Sequence, residues 1–82
     1  MNKYLKELSQ ELLTIKTEKE MTEFLKAILT EQEKEVVPKR LQIVKMLKKG
    51  VSQREIADRL GVGIATVTRG AKELKLNNFK NV

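Results

Sequence analysis

The sequence contains no cysteine and no histidine. The first absence removes disulfides and thiolate zinc sites; the second removes imidazole ligands and the one side chain that ordinarily titrates near neutral pH. Both disfavour a metal centre and most enzymology, and they point to an interior compartment. Long apolar runs are also missing: nothing approaches the ~20 residues of a membrane span, and the N-terminus lacks the apolar stretch of a signal peptide. A soluble, cytoplasmic protein is therefore expected. No segment alternates with a two-residue period, and there is no internal repeat, low-complexity tract or Gly/Ser linker. With 82 residues the chain has room for one domain, and a domain of that size buries only roughly 60% of its surface, so a partner subunit is expected to add burial.

What is present is charge, unevenly divided. Residues 1–35 carry six lysines against eight glutamates, net −2, whereas residues 36–82 carry eleven Lys/Arg against three acids, net +8. The positive field belongs to the C-terminal half, where a polyanion would be attracted. That half has no clustered acids to serve as acid, base or nucleophile, so no catalytic residue is assigned.

Helical spacing runs through the chain. Leu5, Leu8, Leu12 and Ile15, broadened by Leu13, predict an amphipathic helix over residues 3–16. Thr17 with Glu20 has the capping-box form, and Met21, Phe24, Leu25 and Ile28 supply the apolar face of a second helix ending near Leu29. Thr30 with Glu33 repeats the signature for a third, in which Pro38 predicts a kink or a fresh start because proline has no N–H to donate. Leu41, Val44, Met46 and Leu47 continue the stripe to Lys48 and Lys49, and Gly50 supplies the stop. The fold class expected is all-α: a small helical bundle. Leu, Ile, Met and Phe on the first helices need a cover that the small remainder cannot give, so residues 4–29 are expected to build a homodimer.

Ser52 with Glu55 opens a further helix carrying Ile56 and Leu60, followed by Gly61-Val62-Gly63 and a threonine-rich run from Ile64 to Gly70. Two helices joined by so short a glycine-bearing turn form a helix-turn-helix, whose second helix can enter the DNA major groove. Ala57 is small where the helices cross, Gly61 can take the left-handed conformation that ends the first helix, Gly63 can cap the second, and Ile56, Leu60, Val62 and Val67 make the shared core. Ile64, Ala65, Thr68 and Arg69 are then the candidates for reading base edges, Gln53 and Arg54 for holding the phosphate backbone, and Lys49 and Lys72 add charge nearby. Gly70 breaks the pattern. A mid-helix glycine costs roughly 1 kcal/mol relative to alanine, so something must come close there, either a backbone or a small molecule in a pocket behind the second helix.

The stretches Leu29-Thr30, Arg40-Leu41-Gln42-Ile43-Val44, Ser52-Gln53-Arg54-Glu55 and above all Gly63-Ile64-Ala65-Thr66-Val67-Thr68-Arg69-Gly70 resemble the bacterial tryptophan operon repressor family over roughly residues 20–75. The resemblance implies an intertwined all-helical homodimer binding palindromic double-stranded DNA, with L-tryptophan as corepressor and no prosthetic group. It implies ligand contacts from Arg40 and Arg69 on the two faces of the indole, Arg40 also at the carboxylate, Gly70 beside the ring, and Thr30 with the Ala27 and Leu29 carbonyls at the amino-acid head group. On the DNA side it implies Gln53, Arg54, Ile64, Ala65, Thr68 and Arg69.

The chain also departs from the family. Glu73 stands where a serine usually faces the ligand ammonium; a carboxylate there can pair with the ammonium or repel a ligand carboxylate. The turn before Ser52 is one residue shorter, Ala57 replaces a common DNA-facing lysine, Pro38 replaces a more flexible position, and little remains of the final helix after Lys75. The expected organisation is a single domain 1–82, with residues 1–49 as dimerisation and core helices, 52–72 as the helix-turn-helix and 76–82 as a frayed tail. The alternatives are a regulator of the same kind with another ligand or none, and a helical protein–protein adaptor that does not bind DNA.

Overall fold

The computed structural model describes residues 2–76 and 78–82, and among these it contains five helices and no strand. They are α1 (Lys3–Thr14), α2 (Glu18–Ile28), α3 (Glu31–Lys48), α4 (Gln53–Leu60) and α5 (Ile64–Lys75). The all-α expectation holds. No helix among the described residues is long and apolar enough to cross a membrane. The backbone divides into two compact units, one ending at Lys34 and the other Glu35–Val82. Most of α3, from Glu35 on, thus groups with α4 and α5.

In the first unit each helix begins at a side chain that answers its orphan N–H groups. Asn2 accepts from the Tyr4 N–H at 2.8 Å. Thr17 accepts from the Glu20 N–H at 3.1 Å, with its hydroxyl turned toward the Glu20 carboxylate at 3.2 Å. At α3 the capping box is complete: Glu33 N–H donates to Thr30 Oγ1 at 3.1 Å and Thr30 N–H donates to Glu33 Oε1 at 2.8 Å. That Thr30 N–H, and after it the Thr30 side chain, holds the Glu33 carboxyl below its ordinary pKa. Neither α1 nor α2 contains a buried residue. Leu5, Leu13, Leu25 and Ile28 are exposed, and Leu8, Leu12, Met21 and Phe24 are only half-buried.

Pro38 lies inside α3, which continues through it to Lys48. The fresh start expected from the sequence is not seen. Proline removes its own donor and crowds the carbonyl one turn back, at a cost of roughly 3 kcal/mol, yet the helix runs on through it.

The core of the second unit is small and apolar. Ile43 of α3, Ile56 of α4 and Val67 of α5 are buried against one another, ringed by Met46, Leu47, Val51, Ala57, Leu60 and Val62. The predicted shared core of Ile56, Leu60, Val62 and Val67 is all present, with Ile43 added from α3. Past Lys48 the chain leaves α3 through Gly50, and the Val51 N–H reaches back to the Met46 carbonyl at 3.1 Å. Ser52 then caps α4, accepting from the Glu55 N–H at 3.2 Å, while the Glu55 carboxylate pairs with Arg59 one turn on. α4 ends at Gly61, whose φ of 64° and ψ of 39° are left-handed. A β-carbon is disfavoured in that conformation by roughly 1–2 kcal/mol, and the reversal it permits brings the Val62 N–H onto the Ala57 carbonyl at 3.1 Å. Gly63 then caps α5 without a side-chain bond.

The tail makes contacts with the rest of the second unit. Asn78–Val82 forms turns tied to the rest of the unit: Asn78 N–H donates to the Glu73 carbonyl at 3.3 Å, and Lys48 Nζ donates to the Phe79 and Val82 main-chain oxygens at 2.6 and 2.8 Å.

Two outcomes are expected from this packing. Ile56→Ala, at a side chain with no exposed surface, should lose about 2–5 kcal/mol in urea unfolding; a loss under about 1 kcal/mol would mean that the cluster does not organise the unit. Glu33→Ala should lower Tm at neutral pH. Because the folded-state pKa of Glu33 is depressed, its stabilisation is present above the unfolded-state value and is lost as pH falls through the folded one. The Tm difference should therefore shrink toward zero near pH 2–3, and an equal difference at both pH values would contradict the capping role.

Candidate functional site

The two sides of α5 carry opposite chemistry. Val67 is fully buried against Ile43 and Ile56, whereas Ile64, Ala65, Thr68, Arg69 and Lys72 are exposed. An isoleucine left 52% exposed at the start of a helix is not there to fill this unit's core. Of the remaining candidates for a polyanion, Arg54 and Lys49 are exposed and Gln53 is half-buried. All eight belong to the second unit, and none is fully buried.

Gln53 and Thr68 are joined. The Thr68 hydroxyl lies 2.8 Å from Gln53 Oε1 and 3.0 Å from the Ile64 carbonyl, to either of which it can donate. Two residues expected to act separately thus tie the first turn of α4 to α5. The Gln53 amide N–H groups and the Thr68 oxygen lone pairs remain for a further partner. The α5 N-terminus, capped by Gly63 without a side-chain bond, keeps its leading N–H groups outward with a partial positive charge.

Next to α5 a cavity of about 290 Å³ is lined by Arg40, Ile43 and Val44 of α3, by Thr66, Arg69, Gly70 and Glu73 of α5, and by Phe79 of the tail. Its size is near the lower end for small-molecule pockets, about 300 Å³, and its lining combines an apolar wall with a few polar groups. Among the described residues no ion pair joins Arg40 or Arg69 to a carboxylate. Both guanidiniums are thus available for an anionic or planar partner. Glu73 is half-buried, and one of its oxygens, Oε2, accepts from the Asn78 amide at 2.5 Å.

Gly70 answers the question its position raised. A β-carbon there would lie 2.9 Å from Cγ2 of Ile43 and 3.9 Å from Cδ1 of Leu47. The close neighbour is a methyl group on the branch of a residue that is itself 2% exposed, so it has nowhere to retreat. The glycine therefore lets α5 approach α3, and it also forms part of the cavity lining.

The structure brings together four of the seven ligand candidates: Arg40, Arg69, Gly70 and Glu73. Ala27, Leu29 and Thr30 belong to the unit ending at Lys34. There the Leu29 N–H donates to the Leu25 carbonyl at 3.0 Å, and Thr30 caps α3. Two lining residues were not among the candidates: Thr66, which the sequence offered only as part of the Gly63–Gly70 run, and Phe79, which fell in the tail. A lone aromatic in the polar run Asn77 to Val82 was the available signal for Phe79; for Thr66 there was none.

Two comparisons with known proteins point to one family. A family model described as "Trp repressor protein" matches residues 3–81. The chain is 51% identical over 55 residues to a Trp operon repressor homolog of Vibrio vulnificus, covering 66% of this chain and 54% of that protein. It is 43% identical over 63 residues to one from Xylella fastidiosa, covering 76% and 68%. The chain spans about half the length of most of the curated relatives it matches. No solved structure matches it significantly.

The Gly70 contact yields a direct test. Helix propensity alone would make Gly70→Ala stabilising by roughly 1 kcal/mol, but overpacking against a buried Ile43 costs typically 1–3 kcal/mol. The substitution should therefore lower thermal stability, by up to about 2 kcal/mol. A higher Tm in calorimetry would show that the helices do not meet here.

Proposed function

The chain belongs to the Trp repressor family, and we propose that it is a sequence-specific repressor that binds double-stranded DNA as a homodimer, with L-tryptophan as corepressor. The observation that carries this reading is the division of α5. Its buried side rests on α3 beside a cavity with two uncommitted arginines, and its exposed side presents Ile64, Ala65, Thr68 and Arg69.

On this reading α4, the Gly61–Gly63 turn and α5 act as a helix-turn-helix. Ile64 and Ala65 pack on thymine methyls, Thr68 and Arg69 meet base edges or phosphates, and Gln53, Arg54, Lys49 and Lys72 hold the backbone. The +8 charge of residues 36–82 supplies the non-specific attraction. The apolar faces of α1 and α2, with Leu5, Leu13, Leu25 and Ile28 exposed in a single chain, support the homodimer, because such area is costly in water.

Tryptophan enters the cavity with its ring between the Arg40 and Arg69 guanidiniums, stacked on planar cations. Gly70 leaves room beside the ring, Arg40 meets the carboxylate, and Glu73 meets the ammonium. A molecule wedged between α3 and α5 changes how α5 is carried, and in a symmetric dimer that sets the spacing of the two reading heads. Arg69 takes part in both events, through its face toward the cavity and its reach toward the groove.

Operator selection from random duplexes, with and without L-tryptophan, tests both parts. Palindromic sites with half-sites about 34 Å apart should emerge only with tryptophan, and binding should weaken steeply with salt. Equal affinity for all duplexes at about 150 mM salt would refute the DNA reading. Tryptophan-independent sites, with no heat in calorimetry at millimolar ligand, would refute the corepressor reading alone. Arg69→Ala should weaken both tryptophan and DNA by roughly 10- to 100-fold; Arg54→Ala should weaken DNA only, and Arg40→Ala should weaken tryptophan directly.

A further inference from the structure

We propose that Asn78–Val82 is a strap that closes one side of the cavity, with Phe79 as its apolar wall and Lys48 as its anchor, so that a small molecule beside Arg40 and Arg69 binds more tightly while the strap is fastened. The ligand half of this inference rests on reading the cavity as a binding site; the strap itself does not.

The strap is fastened at two places that differ in chemistry. At its start Asn78 holds Glu73 twice, through its N–H to the Glu73 carbonyl at 3.3 Å and through its side-chain amide to Oε2 at 2.5 Å. At its far end Lys48, in the last turn of α3, donates from one ammonium to the main-chain oxygens of Phe79 at 2.6 Å and of Val82 at 2.8 Å. The Val82 N–H closes the turn on the Phe79 carbonyl at 3.2 Å. An ammonium bridging main-chain oxygens on one short turn fixes the turn's shape as well as its place, because its donors diverge.

Between these fastenings the side chains sort by polarity. Asn78, Lys80, Asn81 and Val82 are exposed, and Phe79 alone is turned in, half-buried in the lining of the cavity. The space of about 290 Å³ remains with Phe79 in place, so the ring is a wall of the cavity and not its occupant. A guest would cover the inward face of the ring, which water otherwise wets. Guest and strap then favour each other: by linkage the guest tightens the strap by the same factor as the fastened strap tightens the guest. Lys48 acts here as a positioning residue: it holds Phe79 without lining the cavity.

The test uses the full chain, with L-tryptophan as the probe. Without ligand, NMR amide exchange at Asn78 and Val82 should be slower than for an unstructured chain. It should speed up several-fold at Val82 in Lys48→Met, which keeps the stem and removes the donors, and return toward the original rate in Lys48→Arg. Wild-type amides exchanging at the unstructured rate, or insensitive to Lys48→Met, would overturn the strap. Tryptophan titration by calorimetry should then show about tenfold weaker binding in Phe79→Ala, several-fold weaker in Lys48→Met, and recovery in Phe79→Leu and Lys48→Arg. Unchanged or tighter binding in Phe79→Ala would overturn the ring's role as a wall. Protected tail amides in a protein that takes no tryptophan would support the strap and sink the tryptophan reading instead.

Discussion

The contact between α5 and α3 at Gly70 constrains everything else in the second unit. With hydrogen at that Cα, the Ile43 methyl can sit where a β-carbon would have been 2.9 Å away. Ile43 then reaches the Ile56 and Val67 side chains, and those three make the core. A core of this size has no redundancy. Interiors are close-packed, so a single methyl at the crossing is felt by the whole cluster. The same closeness orients α5: once Val67 and Gly70 face α3, the positions of Ile64, Ala65, Thr68 and Arg69 on the outer surface follow from the helical period.

The cavity lies beside that crossing. Where Gly70 lets the helices touch there is no room, but alongside it Arg40, Thr66, Arg69, Glu73 and Phe79 line an open space. Polar groups around a space with an apolar back wall favour a small, partly charged guest over water alone. On the proposed reading α5 is therefore read from two sides at once.

The first unit works by a different logic. Its helices are specified by their caps, Asn2, Thr17 and Thr30, and their apolar stripes remain uncovered in the single chain, with no buried residue in α1 or α2. Helices this short draw most of their stability from packing rather than from propensity. Their exposed leucines and isoleucines thus call for a cover, which is the physical basis for proposing a second copy of the chain.

What the sequence by itself determined was local. Side-chain caps at Thr17, Thr30 and Ser52 are written in residues three apart, and the left-handed stop at Gly61 and the cap at Gly63 in the glycines themselves, so they depend on little beyond the local chain. The family resemblance singled out Arg40, Arg69, Gly70 and Glu73 for the same reason that a motif can be read at all: residue types in a fixed order. Tertiary structure alone decided the rest. Pro38 did not restart α3, which runs on through it; Gln53 and Thr68 joined across a turn; and Phe79 came to line a cavity with Arg40, some forty positions away in the chain. Nothing in the spacing of such distant residues encodes their meeting, since it depends on how closely two helices can pack, and that was settled by the one side chain Gly70 does not have.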